Sequence, residues 1–416
     1  MTTPLTEKRE FWLLFTLAGV QFTHMVDFMV MMPLGPQLTQ LFGISDAQFG
    51  VLISSYTFAA GASGLLASLY IDRFGRKKLL LLLYVLFAAS TLACGLAPSY
   101  DVLILARIAA GAFGGVLAAL TQTIVADVIP FERRGRAMGI VMSSFALATV
   151  AGVPLGLFFA AHFSWHVPFF MIAAVCAVLA IGAWLTLPPL ADHLLLTRSS
   201  PWSAIQQVVS DPNHLRAFAF TALLMFAGFT VIPYITIYTT ANGGLTLQQV
   251  PYVYLLGGAA TLVTSRWIGR LTDSVGKAKM FYIMASFAAP AVLLVTLSAP
   301  LGLWGILFAT TLMFIGMNGR MVPGMAVVTS AANPKLRGTF MTLNSSVQSA
   351  AMGIATVVGG LVVSRNAEGL LQSFWVSAVL GMVATGASLA LVGRLKLYGA
   401  ATLKPENASQ TSSAPV

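Results

Sequence analysis

Apolar residues along this chain fall into twelve runs of about twenty, parted by short stretches rich in Gly, Pro, Arg and Lys. A helix rises about 1.5 Å per residue, so each run matches the ~30 Å hydrocarbon core of a bilayer. The pattern predicts spans at 11–34, 49–71, 79–97, 102–129, 137–163 and 166–187, then at 217–240, 250–269, 280–299, 303–328, 339–363 and 373–392. The predicted class is an all-α integral membrane fold, with twelve transmembrane helices in two pseudo-symmetric six-helix bundles. The bundles are expected at 1–187 and 216–396, joined by a cytoplasmic linker at 188–215. A cytoplasmic tail at 397–416 lacks periodicity and is expected to be disordered. The first run continues past signal-peptide length without a clear small-x-small cleavage site, and reads as a retained helix.

Composition excludes a water-soluble fold. Of 416 residues, 57% are hydrophobic and 9% charged, against about 25% charged in an average soluble domain. The formal charge of +10 would suggest nucleic acid in a soluble protein, but here the cations are sorted among loops. Arg73, Arg76, Lys77 and Lys78, then Arg133, Arg134 and Arg136, then Arg198 and Arg216 occupy alternate loops. In the second half Arg270, Lys277 and Lys279, then Lys335 and Arg337, then Arg394, Lys396 and Lys404 repeat the arrangement, leaving only Arg365 on the opposite side. This bias predicts both termini in the cytoplasm. Cys94 and Cys176, both within apolar runs, support neither a disulfide framework nor a metal site.

The halves echo one another. S-L-Y-I-D-R-F-G-R-K-K at 68–78 aligns with G-R-L-T-D-S-V-G-K-A-K at 269–279, and Arg134, Gly135 and Met138 align with Arg337, Gly338 and Met341. Two echoes in the same order imply a duplicated six-helix unit.

The D-R-F-G-R-K-K loop resembles the most recognisable motif of the major facilitator superfamily, and the resemblance covers nearly the whole chain. Ser68 stands where that pattern usually has Gly, whereas Gly269 keeps it in the second copy. L-A-R-I-A-A-G at 105–111 is similar to the fourth-helix Arg motif of proton-coupled members. A-G-V-P-L-G at 151–156 resembles the fifth-helix Gly/Pro motif of efflux antiporters, in the variant of bacterial arabinose and sugar efflux permeases. The commoner form has Gly directly before Pro, where Val153 intervenes.

Asp27 is the only acidic residue well inside a predicted span, a placement that demands pairing, hydration or a function. By helical rise it lies about 10 Å from the outer end of its helix and Arg107 about 9 Å from the outer end of the fourth, so the two can meet. Two readings fit: a permanent ion pair, or a proton-coupling role for Asp27 in which Arg107 stabilises its ionised form and substrate or conformation breaks the contact. His24, three residues before Asp27, shares its face and is either a second proton carrier or a helix-positioning group.

Arg320, near Pro323, is a candidate for the substrate cavity or a structural anchor, and Asn344 and Gln348 supply hydrogen-bonding groups for a ligand or for helix packing. Gly152, Pro154 and Gly156 let the fifth helix bend and pack closely. Asp72, Arg73, Arg76 and Asp127, with Asp273 and Lys277 in the second copy, form either gating clusters, as the resemblance implies, or purely topological signals.

These readings predict secondary active export of a small organic solute, such as a sugar derivative, metabolite or drug, in exchange for protons by alternating access. The resemblance implies a bacterial-type cytoplasmic (inner) membrane, a proton gradient as energy source, no cofactor, no metal, no nucleic-acid partner and a monomer. A proton-linked importer is the rival within the class. A non-transporting receptor or enzyme is the rival outside it, and the chain has no P-loop, no H-E-x-x-H and no G-x-S-x-G with a triad.

Overall fold

A computed structural model describes residues 7–129, 131–187 and 201–398, and these residues are helical apart from turns and one isolated bridge between Arg365 and Leu371. The parts of the expected linker and tail at 188–200 and 399–416 lie outside the described residues. The first half holds α1 (Glu7–Val30), α2 (Gly35–Phe42), α3 (Asp46–Tyr70), α4 (Arg76–Gly95), α5 (Tyr100–Val128), α6 (Phe131–Leu147), α7 (Val153–His162) and α8 (Val167–Thr186). The second holds α9 (Pro201–Ser210), α10 (Pro212–Phe229), α11 (Ile235–Ala241), α12 (Val250–Val275), α13 (Lys277–Thr296), α14 (Gly302–Ala331), α15 (Arg337–Val362) and α16 (Phe374–Val392).

Among the described residues, eleven candidate spans are long and apolar enough to cross a membrane. The expected eighth span is α12, 26 residues long but less apolar because Arg266, Arg270 and Asp273 occupy its last third. Its length exceeds the roughly twenty residues a span needs, so the helices agree with the twelve expected.

Two spans that the sequence presents as continuous are interrupted, and the first ends early. The first stops at Val30, four residues before its expected end, and turns around Pro33 lead into α2; the seventh breaks between α10 and α11 at a 3-10 turn, Ile232–Tyr234, holding Pro233. Proline lacks the N–H that continues the helical ladder, so neighbouring amides reach back three residues instead: Met32 to Met29, and Tyr234 to Val231. In the fifth span a π turn at Ala148–Gly152 precedes Pro154, and the Val153 amide reaches Ala148. Capping fixes other starts. Ser45 and Gln48 form a capping box on α3, Ser99 caps α5, and Asp211 caps α10 five residues before its expected start.

Within the first bundle α3 and α4 pack on α5, and α1 packs on α6 and α8; within the second α12 and α13 pack on α14, and α10 on α15 and α16. The bundles meet along α3 and α15, with lesser contacts of α7 on α12 and α2 on α11. Ser346 donates across this seam to the Gly61 carbonyl at 3.0 Å, and within the second bundle Tyr234 donates to the Thr356 carbonyl at 2.6 Å. Gly50 has no room for a Cβ against the Tyr234 hydroxyl. At the end of the molecule where α3 begins, Arg365 pairs with Asp46 through two hydrogen bonds of 2.7 Å. At the opposite end, polar links join parts of one bundle. Arg76 pairs with Asp127 at 2.9 Å, and Lys277 donates to Ser330 at 2.6 Å.

Candidate functional site

The site is built where α1, α3, α4 and α5 converge. Arg107, about two turns into α5, donates from Nη1 to Asp27 Oδ2 at 2.8 Å and to the Asp27 carbonyl at 3.3 Å. Neither side chain has any exposed surface. A buried pair must recover the desolvation of both ions, and it does so only with good geometry and further hydrogen bonds. Here those further bonds are incomplete. Asp27 Oδ1, the Tyr56 hydroxyl, Arg107 Nε and Nη2, and both ring nitrogens of His24 are buried without a well-aligned hydrogen-bond partner, and the buried Thr91 hydroxyl lies near Asp27 without the alignment of a full hydrogen bond. Buried polar groups are normally satisfied, so this concentration singles out the cluster as the candidate site.

The close approach that makes the site depends on glycine. Gly111 and Gly115 of α5 lie against the Tyr56 and Ala60 carbonyls of α3, with no space for a Cβ. Gly114 faces the His24 imidazole and the Tyr56 hydroxyl; a Cβ there would lie 2.6 Å from the ring and 2.8 Å from the oxygen. The Arg107 guanidinium carbon sits 4.2 Å from the Tyr56 ring centroid. His24 packs between Tyr56 and Phe87, at ring distances of 6.0 and 6.1 Å, and makes no hydrogen bond to Asp27.

The other expected residues fall in separate places. Arg320 is buried inside the second bundle, donating to the Thr385 hydroxyl at 2.9 Å, the Met317 sulfur at 3.0 Å and the Leu224 carbonyl at 3.4 Å. Asn344 accepts from Thr221 at 2.7 Å, and half-buried Gln348 donates to the Met225 sulfur at 3.3 Å. Gly152 and Gly156 press the fifth span onto Val26 and Val30 of α1, and Pro154 is buried just beyond the π turn. Buried Arg76 bonds both Asp127 and the Ile71 carbonyl, while Arg73 and Asp273 are exposed. The Asp72 side chain lies outside the described residues. No cluster of His, Cys, Asp and Glu fit to hold a metal occurs among the described residues.

Sequence reasoning passed over Tyr56, Thr91 and the Asp46–Arg365 pair. The first two carry no charge. The pair was overlooked because 319 residues separate its members.

The helices and their order compare with known transporters. A bacterial homologue of the human lysosomal transporter Spinster, in an inward-facing and unoccupied conformation, superposes with a TM-score of 0.72 at 17% identity, over 94% of this chain and 98% of that one. The D-xylose-proton symporter superposes with a TM-score of 0.75 at 16% identity, over 92% and 97%. At such identities the likeness is one of fold. The sequence itself matches the Major Facilitator Superfamily over residues 17–356, and this multi-pass membrane protein, with the fold of a transporter rather than an enzyme, belongs to that superfamily.

Proposed function

We propose that the protein is a secondary active transporter that exports a small organic solute in exchange for protons, with Asp27 as the coupling group. The observation that carries this reading is the wholly buried Asp27–Arg107 pair with its spare carboxylate oxygen. Proton uptake by Asp27 removes the charge that holds Arg107, and proton release restores it. The site therefore has two electrostatic states inside one bundle. Gly152 and Val26 bring the π turn of the fifth span against α1 one residue from Asp27, which gives that switch a route to the helix facing α12.

Orientation follows from the cation bias: the Arg76 end faces the cytoplasm and the Asp46 end faces outward. Contacts between bundles at the Asp46 end then close the outer face, an inward-facing arrangement in an alternating-access cycle. The A-G-V-P-L-G segment favours export, and a sugar derivative, metabolite or drug fits the class of substrate. No cofactor enters this scheme, which draws on the proton gradient of a bacterial-type inner membrane and needs one chain. The likeness in fold to a D-xylose-proton symporter favours import as the second reading.

Flux of a panel of sugars and lipophilic cations in proteoliposomes, with and without an imposed pH gradient, tests the proposal. We expect the gradient to accelerate export by the wild type and to have no effect on Asp27→Asn, which still exchanges substrate. Equal acceleration of both would remove Asp27 from coupling, and acceleration of uptake only would favour import.

A further inference from the structure

Tyr56 is 2% exposed, lies in the middle of α3 and carries no charge, yet it meets Arg107, His24 and Phe28, the neighbour of Asp27. The Arg107 guanidinium lies over its ring at 4.2 Å, inside the ~6 Å range of cation–π attraction. Phe28, the neighbour of Asp27 in sequence, stacks on it at 5.5 Å, and Phe28 in turn meets Phe229 of the second bundle at 6.2 Å. Gly111 and Gly114, on the same face of α5 as Arg107, abut its backbone and its hydroxyl. The ring is thus held by α1 and α5, and its position relative to Arg107 is fixed with it.

Arg107 therefore has two partners of different kinds. Asp27 offers a charge that a proton cancels, and the Tyr56 ring offers a quadrupole that a proton on Asp27 leaves intact. When Asp27 is neutral, a guanidinium with no exposed surface still needs something negative to face, and among the described residues the ring is already in place.

We propose that Tyr56 is the positioning residue of the coupling site: its ring retains the Arg107 guanidinium while Asp27 carries the proton, keeping the arginine poised to recapture the carboxylate. This rests on the reading of Asp27 as the titrating group. The other titratable groups around that carboxylate are Arg107 on α5, His24 on α1, Cys94 on α4 and Cys176 on α8. Of these, Cys94 also approaches Arg107, but its neutral thiol is only a weak acceptor, so the aromatic face remains the stronger neutral partner.

The test uses the full-length protein in lipid nanodiscs and needs no substrate. Infrared difference spectra across a pH titration report the carboxyl C=O band of protonated Asp27, identified by its loss in Asp27→Asn. Position 56 is occupied in turn by Tyr, Phe and phenylalanines bearing one, two and three ring fluorines, which weaken the ring's negative face at nearly constant size. Tyr56→Phe should leave the midpoint unchanged. Successive fluorines should move it stepwise to lower pH, by about one unit in all, a tenfold loss of proton affinity, because the guanidinium leans more strongly on the ring once Asp27 is neutral, and the ring therefore favours the protonated state. A midpoint indifferent to fluorination, or one that rises, overturns the role of Tyr56 while leaving Asp27 as the coupling group. A wild-type spectrum without a band sensitive to Asp27→Asn overturns both. Fluorination keeps the fold, and Tyr56→Leu adds an independent arm: it should shift the midpoint at least as far as the trifluorinated ring, and an unshifted midpoint counts against the proposal.

Discussion

Arg365 grips both carboxylate oxygens of Asp46 at 2.7 Å, and the two residues belong to different bundles. Asp46 is nearly buried at the first turn of α3, and Arg365 follows α15 in a loop where it also reaches the Gly369 carbonyl. The hydrogen bonds to Asp46 hold the Arg365 guanidinium above its ordinary range, so it stays charged at every working pH. The arginine is more than a third exposed, so we assign the pair only about 1 kcal/mol, which shifts a two-state equilibrium about fivefold. Arg365→Gln should raise the labelling rate of a cysteine at buried Ile237, which packs on Gly35 in the adjoining contact of α2 with α11, by about that factor. The charge-swapped pair Asp46→Arg with Arg365→Asp should restore slow labelling. Equal rates in all three proteins would show that apolar packing alone closes this end.

The duplicated loops have kept their geometry and lost their charge symmetry. Arg76 and Lys277 occupy matching places, as do Asp127 and Ser330 relative to the second echo, and each cation reaches its partner across from the preceding loop. An ion pair in the first half is answered by a neutral acceptor in the second. Asp127→Asn removes a carboxylate that bonds nearly buried Arg76 and should lower turnover by about tenfold, whereas Ser330→Ala should lower it less than about twofold. Asp72→Asn should resemble Asp127→Asn, and Asp273→Asn should be milder. Flux measured per inserted molecule separates these effects from defective insertion.

Close packing of α5 on α3 predicts a graded glycine series. A methyl group at Gly111 collides with the Tyr56 backbone, which cannot rotate away, so Gly111→Ala should cost about 1–3 kcal/mol. Gly139→Ala meets nothing within 4 Å and should leave stability unchanged or slightly raised. Thermal unfolding of the two variants in detergent provides the comparison.

Much of this architecture is legible in hydropathy because a lipid-spanning helix must satisfy its own backbone and present apolar side chains. Span positions and the meeting of Asp27 with Arg107 follow from length and helical rise. The early end of the first span near Pro33 and the break at Pro233 do not, because proline is tolerated within membrane helices and its effect depends on neighbouring amides. Nor does the surrounding of Arg320 by α10, α14 and α16, since a helix apolar on all faces gives no indication of its rotation about its own axis. Tyr56 is hidden for the same reason. Contacts between bundles, such as Asp46 with Arg365, depend on which end of the molecule is closed, and a sequence common to both states does not specify that.

The pairing of Asp27 with Arg107 predicts opposite results for single and double replacements. Arg107→Gln leaves a carboxylate with no exposed surface and no counter-charge, and Asp27→Asn does the same to the guanidinium except for the Tyr56 ring. Breaking one side of a buried pair typically costs about 3–5 kcal/mol, whereas removing both sides is often close to neutral. Arg107→Gln should therefore unfold at a distinctly lower temperature than the wild type. Asp27→Asn should lose less, because the ring still faces the arginine. The double variant should recover most of the loss while remaining unable to use a pH gradient. Arg107→Lys should behave like Arg107→Gln in flux, since an ammonium has no planar fork to donate to Asp27 while lying on the Tyr56 ring. His24→Gln should keep at least a third of wild-type gradient-driven flux, because His24 makes no hydrogen bond to Asp27. If the double variant is as unstable as the sum of its parents, Asp27 and Arg107 are not energetically coupled, and the ion pair is not the switch.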